Sequence, residues 1–169
     1  ENHPDNIAPA TLGGFVCSLV EKNKVYSIKK EIDKDLVAVV VIPNLAMSTE
    51  QSRQALAKNL SFNDAVFNLS HASFLTACFL EKKYEFLKFA SQDKLHEINR
   101  MKNLPELFEV QKFALENKAL MSTLSGSGSS FFSLAFKDDA LALAKKMQTK
   151  FKDFSVQYLE FDDNGFEIC

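Results

Sequence analysis

The chain has 169 residues, 46% of them hydrophobic, enough to build a real core in one large domain or in a domain with part of another. A net charge of −2 excludes the clustered Lys and Arg excess of a nucleic-acid surface, and with no run of about 18 apolar residues no segment reads as a membrane span. Cys17, Cys78 and Cys169 are widely spaced with no C-x-x-C pair, which fits reduced thiols in a cytoplasmic protein better than a disulfide or zinc framework.

The chain opens at Glu1 without Met or a signal-peptide pattern, as expected of a piece of a longer polypeptide whose missing part lies upstream. Pro4 and Pro9, closed by Gly13-Gly14, predict a helix of about two turns. Phe15 to Val20 and Val25 to Ile32 read as strands of a hairpin joined through Glu21-Lys22-Asn23-Lys24. Leu36 to Ile42 is an unbroken apolar run stopped by Pro43, the pattern of a strand buried on both faces. Ser48-Thr49-Glu50-Gln51 resembles a capped helix start. A long amphipathic helix is predicted over Asn63 to Leu80, with Val66, Leu69, Ala72, Thr76 and Phe79 as its apolar stripe, followed by helices over Tyr84 to Ala90 and Pro105 to Asn117. Ala119 to Leu124 and Phe131 to Phe136 read as strands joined by a Ser-Gly loop. Asp138 to Phe151 reads as a helix with Leu141, Ala144, Met147 and Phe151 inward, and Phe154 to Phe161 as a last strand.

From Leu36 onward this order is an α+β fold, the ferredoxin-like split βαβ plan with an enlarged first helical connection. Residues 1–32 are left over as a helix and hairpin from an incomplete neighbouring domain, and residues 33–169 form the ferredoxin-like domain.

Chemistry concentrates in a few places. Four of the five glycines fall in Gly13-Gly14 and in Ser125-Gly126-Ser127-Gly128-Ser129-Ser130, where backbone must take positive φ or approach something closely. The first segment also holds His3, Asp5 and Asn6, able to orient a hydroxyl and accept its proton; Asp and Asn beside proline are equally at home as turn and cap residues. The second offers small residues with outward N–H groups, either an anion nest or a bare hairpin connector. Lysine supplies 18 of the 20 basic side chains, so Arg53 and Arg100 are exceptions in a chain whose default cation is lysine. Arginine is the side chain that grips a planar carboxylate bidentately, though both also read as ordinary surface cations. His71 and His96 read as surface or packing residues, and no histidine or cysteine pair has metal-ligand spacing.

Taken in order, His-x-Asp-Asn-x-Ala-Pro-x-x-x-Gly-Gly, Pro43-Asn44, Ser48-Thr49-x-x-x-Arg53, Arg100 before Leu104-Pro105, and Ser125-Gly-Ser-Gly-Ser-Ser130 resemble the carboxyl-terminal half of the homoserine kinases. Those enzymes share a family with galactokinases, mevalonate kinases and phosphomevalonate kinases. The resemblance implies ATP-dependent phosphorylation of the L-homoserine side-chain hydroxyl, a step toward threonine, by a cytoplasmic homodimer without nucleic-acid or membrane partners. It implies that Asp5 is the catalytic carboxylate beside the attacking hydroxyl and that His3 and Asn6 contact the amino acid. Arg53 and Arg100 would hold the substrate carboxylate, Thr49 would line the same pocket, and Gly126, Ser127 and Gly128 would flank the substrate. The family's Pro-x-x-x-Gly-Leu-Gly-Ser-Ser nucleotide motif and its Mg²⁺ ligands have no counterpart here. ATP and Mg²⁺ would therefore be held mostly by the missing amino-terminal half, with no metal site on this chain. The loop departs from the family's Gly-Ser-Gly-Pro-Thr by lacking the proline. Two alternatives stand beside this reading: a related kinase acting on a mevalonate-type or sugar substrate, and a non-catalytic amino-acid-binding module.

Overall fold

The computed structural model describes residues 3–44 and 49–167, and of Thr49 and Gln51 the backbone alone. The expected Ser48 cap, the Thr49 side chain and Cys169 lie outside the described residues.

The amino-terminal segment forms α1 (Ile7–Leu12), then the antiparallel hairpin β1 (Phe15–Glu21) and β2 (Lys24–Lys30). Lys22 and Asn23, both with positive φ, turn the hairpin in the sense that matches strand twist. Its strands form a separate two-stranded sheet, with Leu19, Tyr26 and Ile28 left outward, Ile28 at 72% exposure. The hairpin is nonetheless held to the rest of the chain: Phe15 stacks on Phe79 with ring centroids 4.3 Å apart.

The main sheet contains β3 (Leu36–Ile42), β4 (Met121–Leu124), β5 (Phe131–Phe136) and β6 (Ser155–Leu159) in the order β4-β5-β3-β6, antiparallel throughout. This is the split βαβ topology expected from the sequence. Between β3 and β4 run α2 (Thr49–Gln54), α3 (Phe62–Leu80), a 3₁₀ turn (Tyr84–Phe86), α4 (Leu87–Ala90), α5 (Glu97–Met101) and α6 (Glu106–Glu116); α7 (Lys137–Lys150) joins β5 to β6. Strand period two explains the layering. Val37, Val39 and Val41 enter the core with Leu107 and Val110 of α6 and Leu143 and Met147 of α7. Leu36 packs instead with Cys78 of α3, Tyr84 and Leu87. The continuous apolar run of β3 is thus a strand covered on both faces.

Two predicted stripes hold only in part. On α3 the residues that pack are Leu75, Cys78 and Phe79, while Val66 and Ala72 face outward with Leu69, 70% exposed. The periodicity is real, but only the carboxyl-terminal half of α3 meets the described core. On α7 Met147 is buried and Ala144 and Phe151 pack against the core as expected, with Ala140 and Leu143 buried beside them, and Leu141 is the expected residue that faces out, at 57% exposure. The helix α5 falls where the sequence reading expects only a connecting segment.

Residues 162–166 return across the molecule to the amino-terminal segment. Gly14 N–H donates to Asp162 O at 2.8 Å, Phe166 N–H donates to Thr11 O at 3.1 Å, and Ile32 N–H donates to Asp163 Oδ1 at 3.0 Å. Gly13, with φ of 71°, lies so close that an added Cβ would sit 2.6 Å from Asp163 C and Gly165 N. That close approach is the demand the glycine pair answers.

Candidate functional site

An open cleft of about 1020 Å³ lies where four segments meet. The amino-terminal segment brings His3, Asp5 and Asn6; α2 brings Arg53; α5 brings Arg100, with His96 at its N-cap; and the end of β4 with the loop after it brings Leu124, Gly126 and Ser127. Residues far apart in sequence, singled out for their chemistry, line one cavity. Gly128 belongs to the same loop but not to the cleft wall.

The loop between β4 and β5 closes on itself. Ser125 N–H donates to Ser130 O at 2.9 Å and Gly128 N–H donates to Ser125 O at 3.0 Å. Those two N–H groups are turned inward and are not available to an anion nest. Gly126 has φ of 57° with open space where a Cβ would stand, so this glycine answers to backbone conformation and not to crowding.

Arg100 ties the cleft together. Its Nη1 donates to Gly126 O at 3.1 Å and lies 3.1 Å from His96 Nδ1, and its Nε approaches Ser52 O at 3.5 Å. Ser52, fully buried beside Arg53, donates its hydroxyl to Ser127 O. The helix α2 is therefore docked onto the Ser-Gly loop, and both arginines face one space.

Behind His96 lies a polar network. Asp93 Oδ1 accepts from His96 N–H at 2.6 Å and Glu97 N–H at 2.8 Å, while Oδ2 accepts from Asn68 Nδ2 at 2.6 Å and lies 3.8 Å from His96 Nε2. Burial pushes the Asp93 carboxyl up, but these donors and the imidazole outweigh it and hold the group below the usual range. Glu97, 4% exposed, accepts from Leu124 N–H at 2.6 Å and from Gln111 Nε2 at 3.3 Å. Burial raises its pKa to about 7, with Asp93 adding to the shift and the two donors opposing it. Burial and the Arg100 cation depress His96, against the pull of Asp93.

His96, Glu97 and Ser52 escape the sequence reading. A signal for the first existed: His96 and Arg100 stand at i, i+4, which places them on one face once the segment is recognised as helical. Among the described residues no group of three or more His, Cys, Asp or Glu side chains is placed to hold a metal, and no helix is long and apolar enough to cross a membrane.

Residues 82–153 match the family described as GHMP kinases C terminal. Over all 169 residues the chain is 99% identical to a homoserine kinase of Campylobacter jejuni subsp. doylei. The chain is thus similar to the GHMP kinases. It is also 69% identical to a homoserine kinase of Campylobacter lari, and it spans 58% of the length of each of these curated relatives. A crystal structure of homoserine kinase from Cytophaga hutchinsonii matches with a TM-score of 0.88 at 27% identity, covering 96% of this chain and 53% of that one. That likeness supports the α+β fold seen here.

Proposed function

We propose that the protein containing this chain transfers the γ-phosphoryl group of ATP to the side-chain hydroxyl of L-homoserine, and that the cleft is the acceptor side of its active site. The observation that carries this reading is the convergence of Arg53, Arg100 and Asp5 on one cavity. The near-identity to homoserine kinases supports it.

Arg53 and Arg100 grip the substrate carboxylate; a guanidinium offers a fork of donors where an ammonium offers a point charge. Asp5 accepts a hydrogen bond from the reacting hydroxyl and orients its oxygen, which is most of what phosphoryl transfer requires of an acceptor site. His3 and Asn6 contact the amino-acid head, and Gly126 and Ser127 border the substrate, with Gly128 supporting their loop from behind; the expected Thr49 contact lies outside the described residues. ATP and Mg²⁺ would be held mostly by the amino-terminal half, and no step is routed through a metal here. The working enzyme is taken to be cytoplasmic and homodimeric.

The test is kinetic, on the full-length protein, with homoserine against mevalonate as acceptor. Homoserine should be used and mevalonate should not. Arg53→Lys or Arg100→Lys should cost roughly 1.5–3 kcal/mol, about 10- to 150-fold in kcat/KM for homoserine, with little change for ATP. Asp5→Asn should lower kcat more than it raises the homoserine KM. Wild-type kinetics in both arginine variants would remove the assignment.

A further inference from the structure

We propose that His96 is a positioning residue: its unprotonated Nδ1 accepts from Arg100 and, together with Gly126 O, fixes the guanidinium in the orientation that receives the substrate carboxylate. The inference rests on the reading of the cleft given above and deepens it.

The geometry is a count of hydrogens. A guanidinium has five N–H groups: two on each terminal nitrogen and one on Nε. Arg100 Nη1 has two acceptors at 3.1 Å, His96 Nδ1 and Gly126 O, and Nε approaches Ser52 O. Both hydrogens of Nη1 are thereby directed at the protein, and the Nη2 edge is what a carboxylate in the cleft can engage. Take away the Nδ1 lone pair and the guanidinium keeps only Gly126 O and the long approach of Nε to Ser52 O, so its orientation loosens.

That lone pair exists only while Nδ1 carries no proton. Arg100 can donate to nothing else there, so the neutral ring bears its hydrogen on Nε2, the nitrogen 3.8 Å from Asp93 Oδ2. Asp93 is fixed in turn by Asn68 and by two backbone N–H groups, so the chain Asn68–Asp93–His96–Arg100–Gly126 runs from α3 to the loop after β4. The groups facing His96 set the direction of its titration. Asp93 favours the charged ring, Arg100 and burial oppose it, and opposition prevails. Across the cleft the amino-terminal segment presents His3 and Asp5 and α2 presents Arg53; α3 contributes the neutral Asn68, and Glu97 lies beside it on α5. Protonation of His96 at acid pH would remove the acceptor and set a second cation against the guanidinium.

Three variants of the full-length protein test this, His96→Leu, His96→Asn and Arg100→Met. Asparagine places its Oδ1 near the position of Nδ1 but does not titrate. His96→Leu should raise the homoserine KM about tenfold at pH 8 with kcat and the ATP KM nearly unchanged, and His96→Asn should recover most of that loss. As pH falls below about 6.5 the wild-type homoserine KM should climb while that of His96→Asn stays flatter. An unchanged homoserine KM in His96→Leu overturns the proposal. So does a joint loss of kcat and both affinities that His96→Asn does not relieve, because that is the signature of mere packing. Should the wild type turn over no homoserine at all, the functional reading fails by itself, and the positioning claim is judged by NMR titration of the His96 ring. A midpoint that rises in Arg100→Met supports the contact, and one that stays put refutes it.

Discussion

Glu97 shows how a single buried carboxyl couples this site to pH. Its folded pKa of about 7 lies above the ordinary value of 4.5, because burial disfavours the anion more than Leu124 N–H and Gln111 favour it. A raised pKa contributes stability that is fully present below 4.5 and is lost as pH rises through 7. Glu97→Gln carries no charge at any pH, so the melting temperature of the wild type relative to the variant should fall between about pH 5 and pH 8. A difference that stays constant over that window, measured by thermal unfolding of the purified protein, would show that Glu97 does not titrate there. At this scale the sequence displayed residue types well. Two arginines in a lysine-rich chain and a His-x-Asp-Asn run point to chemistry without any coordinates. His96 and Glu97 stay hidden because their character comes from burial and from partners such as Leu124 N–H and Gly126 O, which no local pattern encodes.

Elements were legible wherever one local preference dominated. The β3 strand is bounded by Pro43, the β1–β2 hairpin by a polar turn, and β5 matches its apolar run residue for residue. What periodicity alone does not settle is which stripe of a helix finds a partner. Along α3, Leu69 sits three residues after Val66 and both face outward, since the sheet is reached only near Cys78. Along α7 the inward line begins at Ala140, one residue away from the expected Leu141. The contrast is measurable by chemical denaturation. Leu143→Ala, which empties a fully packed position, should cost about 2–5 kcal/mol, whereas Leu69→Gln should stay within about 0.5 kcal/mol. A large loss for Leu69→Gln would mean that the outward face of α3 is covered in the folded protein.

For the molecule as a whole, the main sheet has its own core, and β1–β2 is a separate ribbon with apolar side chains outward. We propose that residues 1–32 and residues 33–169 belong to different domains, the second ferredoxin-like. An isolated two-stranded hairpin is marginal in water, so this ribbon should gain most from added chain. The chain by itself should fold cooperatively around β3 yet show no ADP release with homoserine and ATP, and mixing with the remaining part of the full-length protein should restore turnover. Robust activity from the chain alone would mean that the nucleotide side of the site has been misplaced.

The close packing of Gly13 and Gly14 against residues 162–165 has a consequence in time. Lys29 donates to the carbonyl of Asp163, a partner 134 residues away in sequence, and few contacts in the molecule close so long a loop. Loops of that length are entropically late to shut, and the hairpins and helices between them form from nearer neighbours. The segment bearing His3 and Asp5 is therefore the last to be set in place, after the sheet that supports Arg100. In pulse-labelled hydrogen exchange during refolding, the Gly14 amide should gain protection after that of Val39; simultaneous protection would refute this order. On this view the proposed acceptor cleft is completed only at the finish of folding.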